Sequence, residues 1–339
     1  MTSNAPSRAL PYHRLAHVRP EAARWWRPIV VVICAAVIAV ALFAALLISA
    51  VLLSLIPGVP DASPELDDPS NPMDTAMGLG ILAVMLPAVL GAHRLLGGRR
   101  GAAAGTVHSV AGGFRWSLAL TAAAVVIPVF AVVNGALVVF SGAPFSEPPQ
   151  RGMVLAVLLI VVVAVPLQCA AEEYVFRALP MQVCGTWLRS PLWGILLPVP
   201  LFVIGHEYDV WGQIDIAVFA VAMGLLAWKT GGIELPIVVH TANNLTLFLM
   251  SPFAPATVAQ GAVDPRMLLV SIPVTVLTTV GLWLWVSHRE GIGFLTPVRG
   301  AGTSSADGDH LGAAVLEQPL DPVLAADARF AVPGQGELR

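Results

Sequence analysis

Three short polar motifs interrupt the apolar second half of the chain, and their side chains are of types that can hydrolyse bonds. They are Glu172-Glu173-x-x-x-Arg177, Phe202-x-x-x-His206 and His240-x-x-x-Asn244. A carboxylate can take a proton from water as a general base, and a neutral imidazole can orient that water or bind a metal. An amide or imidazole N–H can donate to an oxyanion. A carboxylate, two imidazoles and an amide from three helices therefore form a candidate hydrolytic centre.

The two adjacent glutamates face different directions on a helix. Glu173 and Arg177 are four residues apart, so they can pair on one helix face. Glu172 points about 100° away from Glu173, because the helix has 3.6 residues per turn. The spacing predicts a structural ion pair of Glu173 with Arg177 and a free carboxylate at Glu172.

The composition is that of a protein embedded in a lipid bilayer. Hydrophobic residues make up 57% of the chain and charged residues only 12%, as in polytopic membrane proteins. The net charge of -3 argues against a nucleic-acid partner. Cys34, Cys169 and Cys184 have no paired spacing, so neither a disulfide nor a thiolate metal site is expected.

Apolar runs predict an all-α bundle of about eight transmembrane helices, with seven as the alternative. The runs cover roughly 29–56, 76–96, 117–141, 153–176, 191–206, 214–230, 233–250 and 266–287. They divide the chain into a disordered tail (1–27), a three-helix membrane region (28–150), a catalytic region (151–252), a last transmembrane helix (253–289) and a second disordered tail (290–339).

The distribution of arginines predicts the orientation. The segment before the first helix and the second connection are rich in arginine, whereas the first connection contains five acidic residues and no basic one. With an even number of helices, both tails are then cytoplasmic in a multi-pass protein of the cell membrane. We expect the candidate site to open toward the cytoplasm or the inner leaflet.

The depths of the site residues agree only if one helix is not straight. His240 lies about 10 Å into its helix at ~1.5 Å per residue, whereas His206 lies about 22 Å beyond Pro191 by the same rise. A bend at Pro198 or Pro200 would bring the two imidazoles to a common depth.

Each polar side chain also has a structural explanation. Glu172 could be a snorkelling carboxylate at the membrane boundary, and His206 a boundary histidine. His240 and Asn244 could be a hydrogen-bonding pair between helices.

Two other function classes stay open. One is a non-catalytic membrane scaffold. The other is a proton-coupled transporter that uses the buried glutamates and histidines as a relay, although the chain has no strong internal repeat.

The joint order of the three motifs resembles that of the CPBP family, which comprises CAAX proteases and bacteriocin-processing enzymes and is also called type II CAAX prenyl endopeptidase-like or ABI-family. The family pattern is E-E-x-x-x-R, then F-x-x-x-H, then H-x-x-x-N/D. The small-residue helix that ends in Thr230-Gly231 is also similar. The resemblance covers roughly residues 153–250.

The resemblance implies an intramembrane endopeptidase that hydrolyses a peptide bond in a membrane-associated protein or peptide. Glu172 would activate water together with His206, while His240 and Asn244 would stabilise the oxyanion. Glu173 and Arg177 match the family's structural pair. The family is usually described as metalloproteases, so Glu172, His206 and His240 could instead bind a divalent metal such as zinc, although the sequence lacks the His-Glu-x-x-His zinc motif.

Overall fold

Long apolar runs form helices throughout the computed structural model, which describes residues 9–18, 22–96, 105–141, 145–147 and 150–300. In chain order the helices are α1 (Arg27–Ser54), α2 (Pro72–Ala83), α3 (Met85–Leu96), α4 (Trp116–Ser141), α5 (Arg151–Glu173), α6 (Leu179–Trp187), α7 (Leu192–Leu196), α8 (Val199–Ile204), α9 (Val210–Thr230), α10 (Glu234–Phe248) and α11 (Leu268–Arg289). Short 3-10 turns cover Tyr12–Val18, Pro255–Thr257 and Pro265–Met267.

Six helical stretches are long and apolar enough to cross a bilayer, judged by length and composition. They are Arg27–Ser54, Pro72–Leu96, Trp116–Phe140, Arg151–Trp187, Val210–Thr230 and Pro265–Arg289. The stretch Leu192–Ile204 and helix α10 are shorter, and with them the number of membrane helices is close to eight. The predicted all-α, polytopic bundle is confirmed.

Prolines and capping side chains determine where several helices begin and end. The Asn71 side chain accepts from the Met73 N–H at the start of α2, and the Asp209 carboxylate accepts from Trp211 and Gly212 at the start of α9. Gly231 ends α9 in the left-handed region, with φ +70°. Pro198 separates α7 from α8, so the run 191–206 is broken where its prolines predicted a bend.

The helix that carries the two glutamates is longer than the predicted 153–176. It continues from α5 through a π-helical turn, Tyr174–Ala178, into α6, and this stretch has 37 residues. At 1.5 Å per residue it is about 55 Å long, which exceeds the ~30 Å hydrocarbon core of a bilayer. The π turn begins directly after Glu173, and such turns are frequent at functional sites.

Helix α10 lies in the centre of the bundle. It packs against α4 and α5 and also contacts α9, and Leu235 and Val239 on it are fully buried. Helix α2 packs on α5, α1 on α3, and α9 on α11 and α8. The central position of α10 brings its polar residues against those of α5.

The connections meet at two opposite ends of the bundle, which we call the termini end and the loop end. The termini end holds residues 10–18, 105–115, 230–234 and 290–300. There Arg115 pairs with Glu234 at 2.7 Å, and Lys229 Nζ donates to the carbonyls of Gly293, Phe294 and Thr296. The loop end holds residues 55–71, 205–209 and 249–264, where the Asp209 N–H donates to the Gly261 carbonyl.

Part of the N-terminal segment is folded, in contrast to the disordered tail predicted for residues 1–27. Tyr12 is fully buried and its hydroxyl donates to the Val107 carbonyl at 2.5 Å, while Arg14 Nη1 donates to the Gly185 carbonyl at 2.7 Å. A Cβ on Gly185 would lie 1.6 Å from the His13 carbonyl oxygen, so the glycine permits this close packing. Burial raises the pKa of the Tyr12 hydroxyl.

The predicted second tail also begins later than residue 290. Residues Arg299–Gly300 form a short antiparallel β-pair with Leu10–Pro11, so both ends of the described chain join at the termini end. The rest of the two predicted tails, 1–8, 19–21 and 301–339, lies outside the described residues.

The two ends of the bundle should be reachable from opposite sides of the membrane. We expect a cysteine at Glu65, in the loop end, to react with a membrane-impermeant maleimide on intact cells. A cysteine at Glu290, at the termini end, should react only after permeabilisation if the termini are cytoplasmic. Both glutamates are exposed, whereas the native Cys169 and Cys184 are buried and should contribute little labelling. Labelling of both sites on intact cells would contradict the predicted topology, and the reverse pattern would invert the orientation.

Candidate functional site

His240 lies between the two adjacent glutamates. Its Nδ1 is 2.9 Å from Glu173 Oε1, and its Nε2 is 3.5 Å from Glu172 Oε2. All three side chains are buried, with at most 6% of any one exposed. The contact crosses from α10 to the end of α5, so packing of these two helices creates the cluster.

Glu173 is shared between two nitrogen groups. Besides His240, its Oε1 lies 3.2 Å from Arg177 Nη1, one helical turn away. The Arg177 guanidinium lies over the Phe202 ring at 4.2 Å from the centroid and near the Phe219 ring at 5.9 Å, geometries that favour a cation. The structure therefore places Glu173 and Arg177 in contact, as their spacing predicted, and adds an imidazole to the pair.

Glu172 is less isolated than its position on the helix predicted. Its Oε1 accepts a 2.6 Å hydrogen bond from Gln168 Nε2, one turn earlier on α5. Its Oε2 is buried and has no hydrogen-bond partner within the described part of the chain. One oxygen of the carboxylate is thus held in place, while the other faces His240 Nε2 across 3.5 Å.

Asn244 joins the cluster through the same glutamine. Its Nδ2 lies 3.5 Å from Gln168 Oε1, and its Oδ1 accepts from Asn243 Nδ2 at 3.1 Å. Cys169 Sγ also donates to Gln168 Oε1, at 3.3 Å. The sequence interpretation missed Gln168, although its i−4 relation to Glu172 could have identified it.

His206 lies in the same cavity but outside this contact network. Its Nδ1 is 2.8 Å from the Phe202 carbonyl, and its ring stacks on Tyr208 at 6.3 Å between centroids. Phe202 packs edge-on against His240, at 6.4 Å. An aromatic ring therefore separates the two imidazoles that the sequence placed in one centre.

A cavity of about 1140 Å³ connects these side chains with the loop end. Glu172, His206, His240 and Asn244 all line it. Its rim is formed by three connections of the loop end, residues 66–69, 205–208 and 255–261. If the termini are cytoplasmic, the cavity opens toward the opposite side of the membrane, and not toward the cytoplasm or inner leaflet as the sequence predicts.

The three predicted metal ligands do not come together in this conformation. Glu172 contacts His240, but the His240 Nδ1 faces Glu173 and the His206 ring lies against Tyr208. In the ranges that the structure describes, no three His, Cys, Asp or Glu side chains are grouped as a metal site. The side chains thus do not fit as a ligand set, and the divalent metal stays a prediction.

The charges of the cluster are unequal. Two carboxylates face one permanent cation, Arg177, so the cluster is negative whenever His240 is neutral. If His240 Nδ1 donates to Glu173, its Nε2 is left facing Glu172 across 3.5 Å. A water molecule held at these two groups would have a carboxylate and an imidazole as proton acceptors.

Comparison with known proteins agrees with the motif resemblance over the segment that carries the site. Residues 151–246 match the family "Rce1-like: Type II CAAX prenyl endopeptidase Rce1-like". A Bacillus subtilis (strain 168) protein, "Uncharacterized protein YyaK", is 32% identical over 97 residues, which are 26% of this chain and 32% of that protein. The chain thus matches only about a third of that relative's length. No solved structure matches the chain.

The predicted resemblance is confirmed for this segment, since residues 151–246 are similar to the Rce1-like, type II CAAX prenyl endopeptidase family. The matched range contains the site cluster, including Gln168, Glu172, Glu173 and His240. The match supports a protease within a helical membrane protein in general terms.

The two glutamates should differ in their effect on stability. Glu173→Gln leaves the buried Arg177 without its ion partner, and we expect a loss of about 3–5 kcal/mol in the free energy of unfolding. Glu172→Gln retains a hydrogen-bonding group beside Gln168 and should cost about 1 kcal/mol or less. Unfolding of both purified variants in the same detergent measures the difference. Equal losses would contradict the assignment of Glu173 as the structural carboxylate.

Proposed function

We propose that the protein is an intramembrane endopeptidase that hydrolyses a peptide bond in a membrane-associated protein or peptide. The observation that carries the proposal is the placement of Glu172 Oε2 and His240 Nε2 side by side, 3.5 Å apart, on the wall of a cavity. The Rce1-like match over the same residues supports it.

In the proposed reaction, Glu172 takes a proton from a water molecule held between its free oxygen and His240. The water oxygen then bonds to the carbonyl carbon of the substrate, and the carbonyl oxygen becomes an oxyanion. The proton taken by Glu172 passes to the amide nitrogen as the C–N bond breaks. The products are a carboxylic acid and an amine, which become a carboxylate and an ammonium when the acid's proton passes to the amine, and Glu172 is ready for another water.

Glu173 and Arg177 would position the histidine rather than react. The Glu173 carboxylate accepts from His240 Nδ1 and fixes the ring, while Arg177, 3.2 Å from the same oxygen, holds that carboxylate in place. This is the arrangement by which a carboxylate orients a catalytic imidazole. Asn244 Nδ2 would supply a hydrogen bond to the oxyanion, while His240, whose ring donates through Nδ1, accepts from the water through Nε2.

Glu172→Gln should abolish proteolysis without unfolding the protein, because glutamine cannot accept the proton from water. Peptide termini in membranes of cells that carry wild type or the variant, at matched expression, measure this. We expect termini that appear only with the wild type. Glu65→Gln, an exposed carboxylate of the loop end outside the cavity lining, is the matched control and should retain them.

Other outcomes of that comparison would favour the alternatives. A phenotype that persists in Glu172→Gln, with unchanged termini, would favour a scaffold. Loss of ion or solute flux without any change in peptides would favour a transporter that uses the same buried groups.

Asn244→Ala should lower kcat by about 10²–10³, because it removes a donor to the oxyanion, and should leave KM nearly unchanged. Asn134→Ala removes another amide of the cavity lining, one that donates to Thr246 Oγ1, and should have a much smaller effect on kcat. Steady-state kinetics of a cleaved substrate check both. An equal fall in kcat for the two variants would remove Asn244 from the oxyanion site.

A further inference from the structure

The cavity is lined by acidic residues along its whole length. Of the described residues that line it, six are acidic and none is lysine or arginine. The six are Asp67, Asp68, Asp74, Glu172, Glu207 and Asp215. Among the described lining residues, the side chains that can carry a positive charge are the imidazoles of His206 and His240.

These carboxylates run from the rim to the bottom of the cavity. Asp67 and Glu207 are exposed at the rim, on two different connections of the loop end. Asp74 is buried below them and accepts from the Ser63 hydroxyl and the Asp68 N–H, and Asp215 accepts from the Ser271 hydroxyl at 2.8 Å. Glu172 lies at the bottom, only 5% exposed, and its Oε2 has no hydrogen-bond partner within the described chain.

The cations of the termini end cannot compensate this charge. Arg115 forms a bidentate pair with Glu234, and Lys229 donates to three backbone carbonyls at the opposite end of the bundle. A cavity lined by one sign of charge and walled by apolar helices concentrates molecules of the opposite sign. The carboxylates near its exposed rim therefore attract a cation into the cavity.

Resting on the proposed function, we infer that the cavity selects a substrate segment rich in lysine or arginine, which enters from the loop end and brings the adjacent peptide bond to Glu172. The carboxylates of the rim bind the basic side chains, and the apolar walls contact the membrane-embedded part of the same polypeptide. The substrate class is thus a membrane peptide or protein with a basic segment on the loop-end side.

The test uses the full chain in lipid nanodiscs and synthetic apolar peptides that differ only in one flank. The flank carries lysines, glutamines or glutamates. We expect the lysine peptide to be cleaved with the highest kcat/KM and the glutamate peptide with the lowest. The preference should shrink with rising salt, since the rim is open to solvent.

The rim variant Asp67→Asn with Glu207→Gln should reduce the preference for lysine by about 1.5- to 5-fold per carboxylate, as exposed charge pairs do. Both residues lie on connections between helices, not on α5 and α10, which carry the catalytic cluster. The matched control is Asp61→Asn with Glu65→Gln, which removes two exposed loop-end carboxylates outside the cavity lining and should preserve the preference. Thermal unfolding of all variants checks that each is folded.

A binding measurement separates this inference from the proposed function. Fluorescently labelled forms of the same peptides are titrated against Glu172→Gln protein, with and without the rim substitutions. Preferential binding of the lysine peptide without cleavage by the wild type would retain the acidic cavity and overturn the peptidase. Cleavage of all three peptides at equal kcat/KM, or a preference that survives the rim substitutions, would overturn the inference alone. Neither cleavage nor preferential binding would overturn both.

Discussion

The contact of Glu173 with both Arg177 and His240 is the constraint on which the rest of the site depends. A charge buried among apolar helices is costly unless it has a partner, and Glu173 has two. Because Arg177 is on the π turn that follows α5 and His240 is on α10, the shared carboxylate fixes the π turn and the register of the two helices together. A shift of α10 by one residue would turn His240 away and leave Glu173 with Arg177 alone.

Because of this constraint, the neighbouring Glu172 and Glu173 have different roles. Arg177 and His240 both contact Oε1 of Glu173, whereas Glu172 lines the cavity with one oxygen held by Gln168 and the other 3.5 Å from His240 Nε2. His240 is oriented through Nδ1 and therefore presents Nε2 to the side on which Glu172 lies. A general base next to an oriented imidazole is thus a consequence of how the buried charges are paired.

The spacing of residues within one segment predicted the contacts that form within a single helix. It did not predict the contacts between segments that are far apart in the sequence. The i,i+4 relation of Glu173 to Arg177 and the break near Pro198 follow from one helix each. The contact of Glu173 with His240 depends on the register of α10 against α5, which no single segment specifies. Likewise, Tyr12 lies in a segment without a periodic apolar pattern and is buried next to His13, whose carbonyl approaches α6 closely at Gly185. The position of the cavity mouth depends on three separate connections.

The distribution of charge along the bundle axis links the orientation to the site. Arginine and lysine side chains at the termini end are taken up by Glu234 and by backbone carbonyls, whereas carboxylates at the loop end line a cavity that descends toward His240. The unequal distribution of basic and acidic residues between the two ends predicts the orientation of the chain in the membrane. The same distribution places acidic side chains along the cavity. Because acidic side chains line the cavity from its rim inward, an entering basic group meets attraction on its way into the cavity. The peptide bond that follows it would arrive beside the Glu172 oxygen that faces His240 Nε2.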